Sequence, residues 1–99
     1  MQRAISVNGV PIRLTFERWY HITENHDELA SHFYDLLETV EAPAFVLRGN
    51  RGTMKAVRNF GKEKWLTVVY REISKHDGFV ITAYFLDTIA KGERLWPQR

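Results

Sequence analysis

From Lys64 to Leu86 the chain reads KWLTVVYREISKHDGFVITAYFL, two runs dense in β-branched and aromatic residues around a polar connector that ends in Asp77-Gly78. That composition specifies two neighbouring antiparallel strands and their turn, and it commits the whole chain to a fold built around a sheet. Side chains alternate across a strand, so Lys64, Leu66, Val68 and Tyr70 share one face and Trp65, Thr67, Val69 and Arg71 the other. On the second run Phe79, Ile81, Ala83 and Phe85 form the apolar face, and Val80, Thr82 and Tyr84 the mixed one. One face is predicted to be core. The other gathers Thr67, Arg71, Thr82 and Tyr84 into a polar, aromatic surface open to a ligand.

The remaining segments must complete this sheet and cover it. Ile5, Val7, Val10, Ile12 and Leu14 surround Asn8-Gly9, the dipeptide of a tight primed turn, which predicts an opening hairpin whose second arm is an edge because of Pro11. Thr15 then caps a short helix to about Glu24, with Phe16, Trp19 and Ile22 as its apolar stripe. A second helix is expected from His26-Asp27 to about Val40. Leu29, Phe33, Leu36, Leu37 and Val40 fall on one face of it, and Pro43 closes it. Ala44 to Leu47 and Met54 to Phe60 read as strands joined by a basic glycine turn. The tail offers a helical turn at Asp87 to Lys91 and an extended Leu95-Trp96-Pro97. A chain of 99 residues with 44% hydrophobic content suits one core. The expectation is a single domain, 1–99, with a hairpin at about 3–14, helices at about 15–40, a meander sheet at about 44–86 and a tail at 87–99. Its class is α+β: two N-terminal helices packed on one face of a four- to six-stranded antiparallel sheet.

Composition narrows the chemistry. With no cysteine there are no disulfides, no thiol catalysis and no cysteine-ligated zinc. No run approaches a membrane-spanning length, and the first residues lack a signal-peptide pattern, so a soluble, cytoplasmic protein is expected. GxGxxG, P-loop, GxSxG and EF-hand patterns are all missing, and Gly49-Asn50-Arg51-Gly52 reads as a turn between strands. His21, His26 and His32 lie five and six residues apart, which does not match the helical spacing of a metal pair. Neither a metal nor a cofactor is expected. Charge is divided along the chain: Met1 to Leu47 holds three Arg/Lys against seven Asp/Glu, and Arg48 to Arg99 eleven against five. Arg48, Arg51, Lys55, Arg58, Lys62 and Lys64 face only Glu63 in their segment. Local positive density of this kind suits a phosphate-bearing partner, and it also suits a solvated basic loop.

Acid–base chemistry on a phosphodiester is the reaction these residue types allow. Cleaving RNA without a metal requires a base for the 2′-hydroxyl proton, an acid for the leaving 5′-oxygen, and cations for the charge on phosphate. His21 and His26 near the helix junction, Arg58 and Lys64 flanking the Gly61 turn, and Arg71, Thr82 and Tyr84 on the hairpin are of those types. Each has an ordinary structural role as well, as a helix-start residue, a strand-end charge or a good strand former.

The succession Glu17-Arg18-Trp19-Tyr20-His21-Ile22, Asn25-His26-Asp27-Glu28-Leu29, Ala56-Val57-Arg58, Lys64 to Glu72 and Phe79 to Phe85 resembles the barnase/EndoU/colicin/RelE-like nuclease superfamily. It is closest to small phage- and mobile-element-associated members, over about Thr15 to Leu86. The resemblance implies a RelE/barnase-like fold and a metal-independent ribonuclease, often the toxin of a toxin–antitoxin pair, with RNA and an antitoxin protein as partners. It implies His21, His26, Arg58, Lys64 and Thr82 as the catalytic set. Asp27 stands where the pattern usually has proline and Asn25 where a basic residue is common. RNA would be held by Arg48, Arg51, Lys55, Lys62 and Arg71, with Trp65 or Tyr84 stacking a base. The alternative is a non-catalytic nucleic-acid-binding or partner-regulating module on the same fold.

Overall fold

The computed structural model describes residues 2–98. Strands β1 (Gln2–Ile5) and β2 (Pro11–Leu14) form the opening hairpin, but its turn is not the primed one expected: Gly9, at φ 80°, is left-handed while Asn8 is not, and the Gly9 amide donates to the Ser6 carbonyl at 2.8 Å, so Val7-Asn8-Gly9 is a three-residue loop closed by the glycine. Helix α1 (Phe16–Asn25) follows, capped by Thr15, whose hydroxyl accepts a hydrogen bond from the Arg18 amide at 3.1 Å. A single 3-10 turn over Asp27–Leu29 separates it from α2 (Phe33–Glu41). The rest is β3 (Phe45–Arg48), β4 (Met54–Asn59), β5 (Trp65–Ser74), β6 (Asp77–Leu86) and β7 (Arg94–Trp96).

These strands form one seven-stranded sheet in the order β1-β2-β6-β5-β4-β3-β7. The class is α+β, and two expectations about the sheet are corrected. It is mixed, because β2 runs parallel to β6 through Ile12↔Gly78 and Arg13↔Phe79. It also has more strands than expected, because the tail contributes β7 antiparallel to β3, with no helical turn at Asp87 to Lys91. Pro11 does not mark an edge, since β2 lies inside the sheet and β6 engages it only after Pro11. The missing proline N–H is therefore not needed there.

Helices and sheet share one core. Ile22, Leu29, Leu36, Leu37 and Val40 pack against Ile12, Leu14, Ala56, Leu66, Val68, Tyr70, Val80 and Ala83. Leu29 and Leu36 are fully buried, each worth about 2 kcal/mol of transfer free energy. The second helix starts at Phe33, later than expected. The break lets Leu29 reach the core while the Phe33 ring meets Trp19 edge-on at 5.1 Å. Phe16, expected in the apolar stripe of α1, is 67% exposed.

The central hairpin turns at Lys75-His76, two residues earlier than the sequence suggested. Asp77-Gly78 belongs to β6 for a packing reason. A Cβ on Gly78 would lie 2.5 Å from both the Arg71 carbonyl oxygen and Ile12 Cδ1, so glycine is there to admit neighbouring strands. A bulge also shifts the register, since Val69 pairs with Thr82 but Tyr70 pairs with Val80. Ile81 is the extra residue. Val80 consequently joins Ala83 on the helix-covered face, a position the uninterrupted alternation had given to Phe79 and Ile81. Among the described residues no helix is long and apolar enough to cross a membrane.

Candidate functional site

On the helix-covered face, Arg58 of β4 pairs with Leu66 of β5, which pairs with Phe85 of β6. Phe60 follows β4 and lies 6.4 Å from the Phe85 ring, edge to face. These two rings gather polar groups from three directions. The Arg58 guanidinium lies 5.6 Å from the centre of the Phe60 ring, and the Lys64 ammonium 5.9 Å from that of Phe85. From the helix layer His32, just before α2, sets its ring 5.2 Å from Phe85 and 6.4 Å from Phe60. His32 Nδ1 hydrogen-bonds Asp35 Oδ2 at 2.8 Å. With Nδ1–H donating to that carboxylate, Nε2 keeps its lone pair for another proton.

The cations of this rim differ in freedom. Arg58 Nη1 sits 3.1 Å from Glu38 Oε2, yet among the described residues the same buried atom makes no well-directed hydrogen bond. The short distance shows a charge contact, and the missing alignment shows that it is off the donor axis. Glu38 therefore holds Arg58 in place and offsets part of its charge. Lys64 is exposed and, among the described residues, has no carboxylate partner. Lys62 shares its turn, also exposed.

In the sequence His32 reads only as a candidate metal ligand whose spacing does not fit. The signal that could have found it is the i, i+3 spacing to Asp35 at a helix start, which places a carboxylate beside the imidazole. Among the described residues no three His, Asp or Glu side chains converge as a metal-binding group.

The other residues expected to act together are dispersed. His21 does not reach the sheet: it is exposed on α1, 3.7 Å from Glu24 and beside Tyr20. His26 faces Glu28 at 3.8 Å and lies 6.1 Å from the ring of Tyr84. Tyr84 and Thr82 pair with Thr67 and Val69 and so belong to the face opposite Phe85. Thr82 is thus separated from Arg58 and Lys64 by the sheet itself.

That opposite face is less open than expected. Thr67 is fully buried and its hydroxyl has no hydrogen-bond partner among the described residues. Trp65 is half-buried and stacks on Phe45 at 6.1 Å, against a second small core of Leu47, Val57 and Ala90 with Leu86, so one face of its ring is occupied by protein. The segment after β6 lies over this face on its way to β7. There the Lys91 carbonyl accepts a hydrogen bond from Lys55 at 3.0 Å, and Glu93 accepts one from Arg48 at 3.0 Å. Arg71 donates to the Arg51 carbonyl at 2.7 Å, and Arg51 occupies a left-handed turn at φ 56°. The basic residues of Arg48 to Lys64 therefore fall at two ends of β4, roughly 20 Å apart for a strand of this length. Arg48, Arg51 and Lys55 lie at one end, with Arg71 bonded to the Arg51 carbonyl beside them, and Arg58, Lys62 and Lys64 lie at the other.

Burial raises the Tyr84 phenol above the ordinary tyrosine range, so it is a protonated hydroxyl at neutral pH. Comparison with protein-family models, with curated proteins and with solved structures finds no match to this chain.

Proposed function

We propose that this chain is a metal-independent ribonuclease acting through acid–base chemistry at the Phe60–Phe85 rim. One observation carries the reading: two aromatic rings draw an Asp35-oriented histidine, an arginine and an unpaired lysine onto one side of the sheet. In this reading His32 Nε2 takes the proton of the 2′-hydroxyl as that oxygen attacks phosphorus. Arg58 and Lys64 offset the charge on the phosphoryl oxygens, and Lys64 gives the departing 5′-oxygen its proton. Lys62 adds positive charge for the strand beyond the cleaved bond. The motif resemblance to the barnase/EndoU/colicin/RelE-like nucleases supports the same chemistry and extends it to a toxin role, with an antitoxin protein as partner. His32 replaces His21 in the proposed catalytic set. His26, Tyr84 and Thr82 are left to a binding role at the edge and far face of β6.

A second reading is favoured by the dispersal of His21, His26 and Thr82 away from Arg58 and Lys64. On it the chain binds RNA without cleaving it. Purified protein incubated with total RNA in EDTA separates the two. The ribonuclease reading expects cleavage that chelator leaves unchanged. Salt-sensitive binding with intact RNA would transfer the assignment to the non-catalytic module.

A further inference from the structure

The outer surface of the helix layer carries large aromatic residues that the core does not use. Phe16 is 67%, Tyr20 63% and Tyr34 70% exposed. They form one surface, because Phe16 and Tyr20 are four residues apart on α1 and half-buried Trp19 between them meets Phe33 edge-on at 5.1 Å. Phe33 in turn meets Tyr34 at 5.0 Å. Rings exposed contiguously in this way mark interaction surfaces, whereas isolated exposed apolar residues are ordinary.

The charge around these rings is of one sign. Glu17 and Glu24 stand one helical turn from Tyr20 on either side, and Glu38 one turn from Tyr34. Residues 16–41 hold seven carboxylates against one arginine, a balance of −6, in a chain whose net charge is +2. A polyanion is repelled from such a surface. Its complement is a segment that brings apolar anchors for the rings and cations for the carboxylates together.

We propose that the α1–α2 surface at Phe16, Tyr20 and Tyr34 docks a basic amphipathic helix of a partner protein. Apolar residues on one face of that helix cover the three rings, and lysine or arginine along its borders meets Glu17 and Glu24, since Glu38 is already committed to Arg58. The inference does not rest on RNA cleavage, because none of these residues belongs to the Phe60–Phe85 rim except Glu38, which reaches it through Arg58.

The test uses the full chain and three synthetic peptides of about 18 residues, long enough for a sustained apolar stripe. One has leucine at helical spacing with lysine elsewhere, one has glutamate in place of lysine, and one is the leucine–lysine composition scrambled. Backbone amide shifts are followed by NMR during titration. The expected result is that the leucine–lysine helix shifts Phe16, Tyr20 and Tyr34. It should bind at least ~10-fold more tightly than either control, since removal of well-placed charge and apolar contacts costs at least that much. Tyr20→Ser combined with Tyr34→Ser should weaken binding by a similar factor while thermal midpoint and RNA behaviour stay at wild-type values. Absence of binding, equal binding of the glutamate or scrambled peptide, or shifts confined to another surface would overturn the proposal. So would self-association of the protein alone that is lost in the double variant, which would give the surface to a second copy.

Discussion

Replacing Tyr70 by phenylalanine should make the protein more stable, although it removes a polar group from the middle of the longest hairpin. Tyr70 is fully buried between its cross-strand neighbours Met54 and Val80, and its hydroxyl has no hydrogen-bond partner among the described residues. An unsatisfied buried hydroxyl costs about 1–3 kcal/mol of desolvation. Deleting the oxygen removes that cost and loses only a few atom contacts worth about 0.1–0.2 kcal/mol each. The net expectation is a gain of about 1 kcal/mol, or a rise of roughly 4–8 °C in melting temperature for a domain of this size. The same hydroxyl has a pH signature. Burial and the negative charge of Glu72 push the Tyr70 phenol far above its ordinary value, so the folded state keeps this proton after the unfolded chain has lost it. Above pH ~10 the unfolded state therefore binds fewer protons, and wild-type stability falls by up to about 1.4 kcal/mol per pH unit from this group. Tyr70→Phe should lack that component of the fall. Urea denaturation followed by circular dichroism at neutral pH and at pH ~10.5, just above the ordinary tyrosine range, reads both effects. A variant less stable than wild type by about 1 kcal/mol or more, the worth of one hydrogen bond, would show that the hydroxyl is satisfied and refute this account of Tyr70.

Other consequences are more local. Gly78→Ala should destabilise the fold by about 2 kcal/mol or more in the same denaturation assay, because the Arg71 carbonyl oxygen at 2.5 Å from the new Cβ belongs to the backbone and cannot swing away. The Asp77 carboxyl, held below the usual range chiefly by its hydrogen bond from Arg13 at 2.8 Å, should titrate low by NMR in wild type and return toward the ordinary range in Arg13→Gln. Because that pKa is depressed in the folded state, its contribution to stability is present at neutral pH and lost as pH falls through the folded value. Cleavage that ceased in EDTA and returned with a divalent metal would count against the proposed chemistry, which assigns phosphate charge to Arg58 and Lys64.

Much of the fold was legible because local signals agreed with the core. The opening hairpin around Asn8-Gly9, the Thr15 cap and the alternation of Leu66, Val68 and Tyr70 each appear as the sequence predicts, although the hairpin's turn is a three-residue loop and not the primed type. What escaped was decided by contacts distant in sequence. Asp77-Gly78 has turn composition, but Gly78 is fixed by Ile12 and Arg71 across two strands, and no local pattern reveals that crowding. The bulge at Ile81 likewise depends on how β5 and β6 meet, and it reassigns Val80 to the core. The parallel contact of β2 with β6 and the docking of β7 on β3 are chain-end decisions that periodicity does not carry.

The candidate site was legible in part for the same reason. Arg58 and Lys64 flank one short turn, so strand pairing brings both to the rings of Phe60 and Phe85. His32 was hidden because its place in the candidate site comes from Asp35 and from a sheet residue more than fifty positions away, at Phe85. His21 looked available for the site because its neighbours appeared apolar enough to bury the helix without it. The structure places it in solvent beside Glu24.

The most direct measurement is the rate at which a single-stranded RNA is cleaved in EDTA by wild-type protein, His32→Ala, Lys64→Ala and His21→Ala, each first checked for a wild-type circular dichroism spectrum. The predicted result is a fall of about 100-fold or more for His32→Ala, as expected on removal of a general base, a substantial fall for Lys64→Ala, and no change for His21→Ala. A folded His32→Ala variant that cleaves at the wild-type rate, or a loss of activity confined to His21→Ala, would contradict the placement of the site at the Phe60–Phe85 rim.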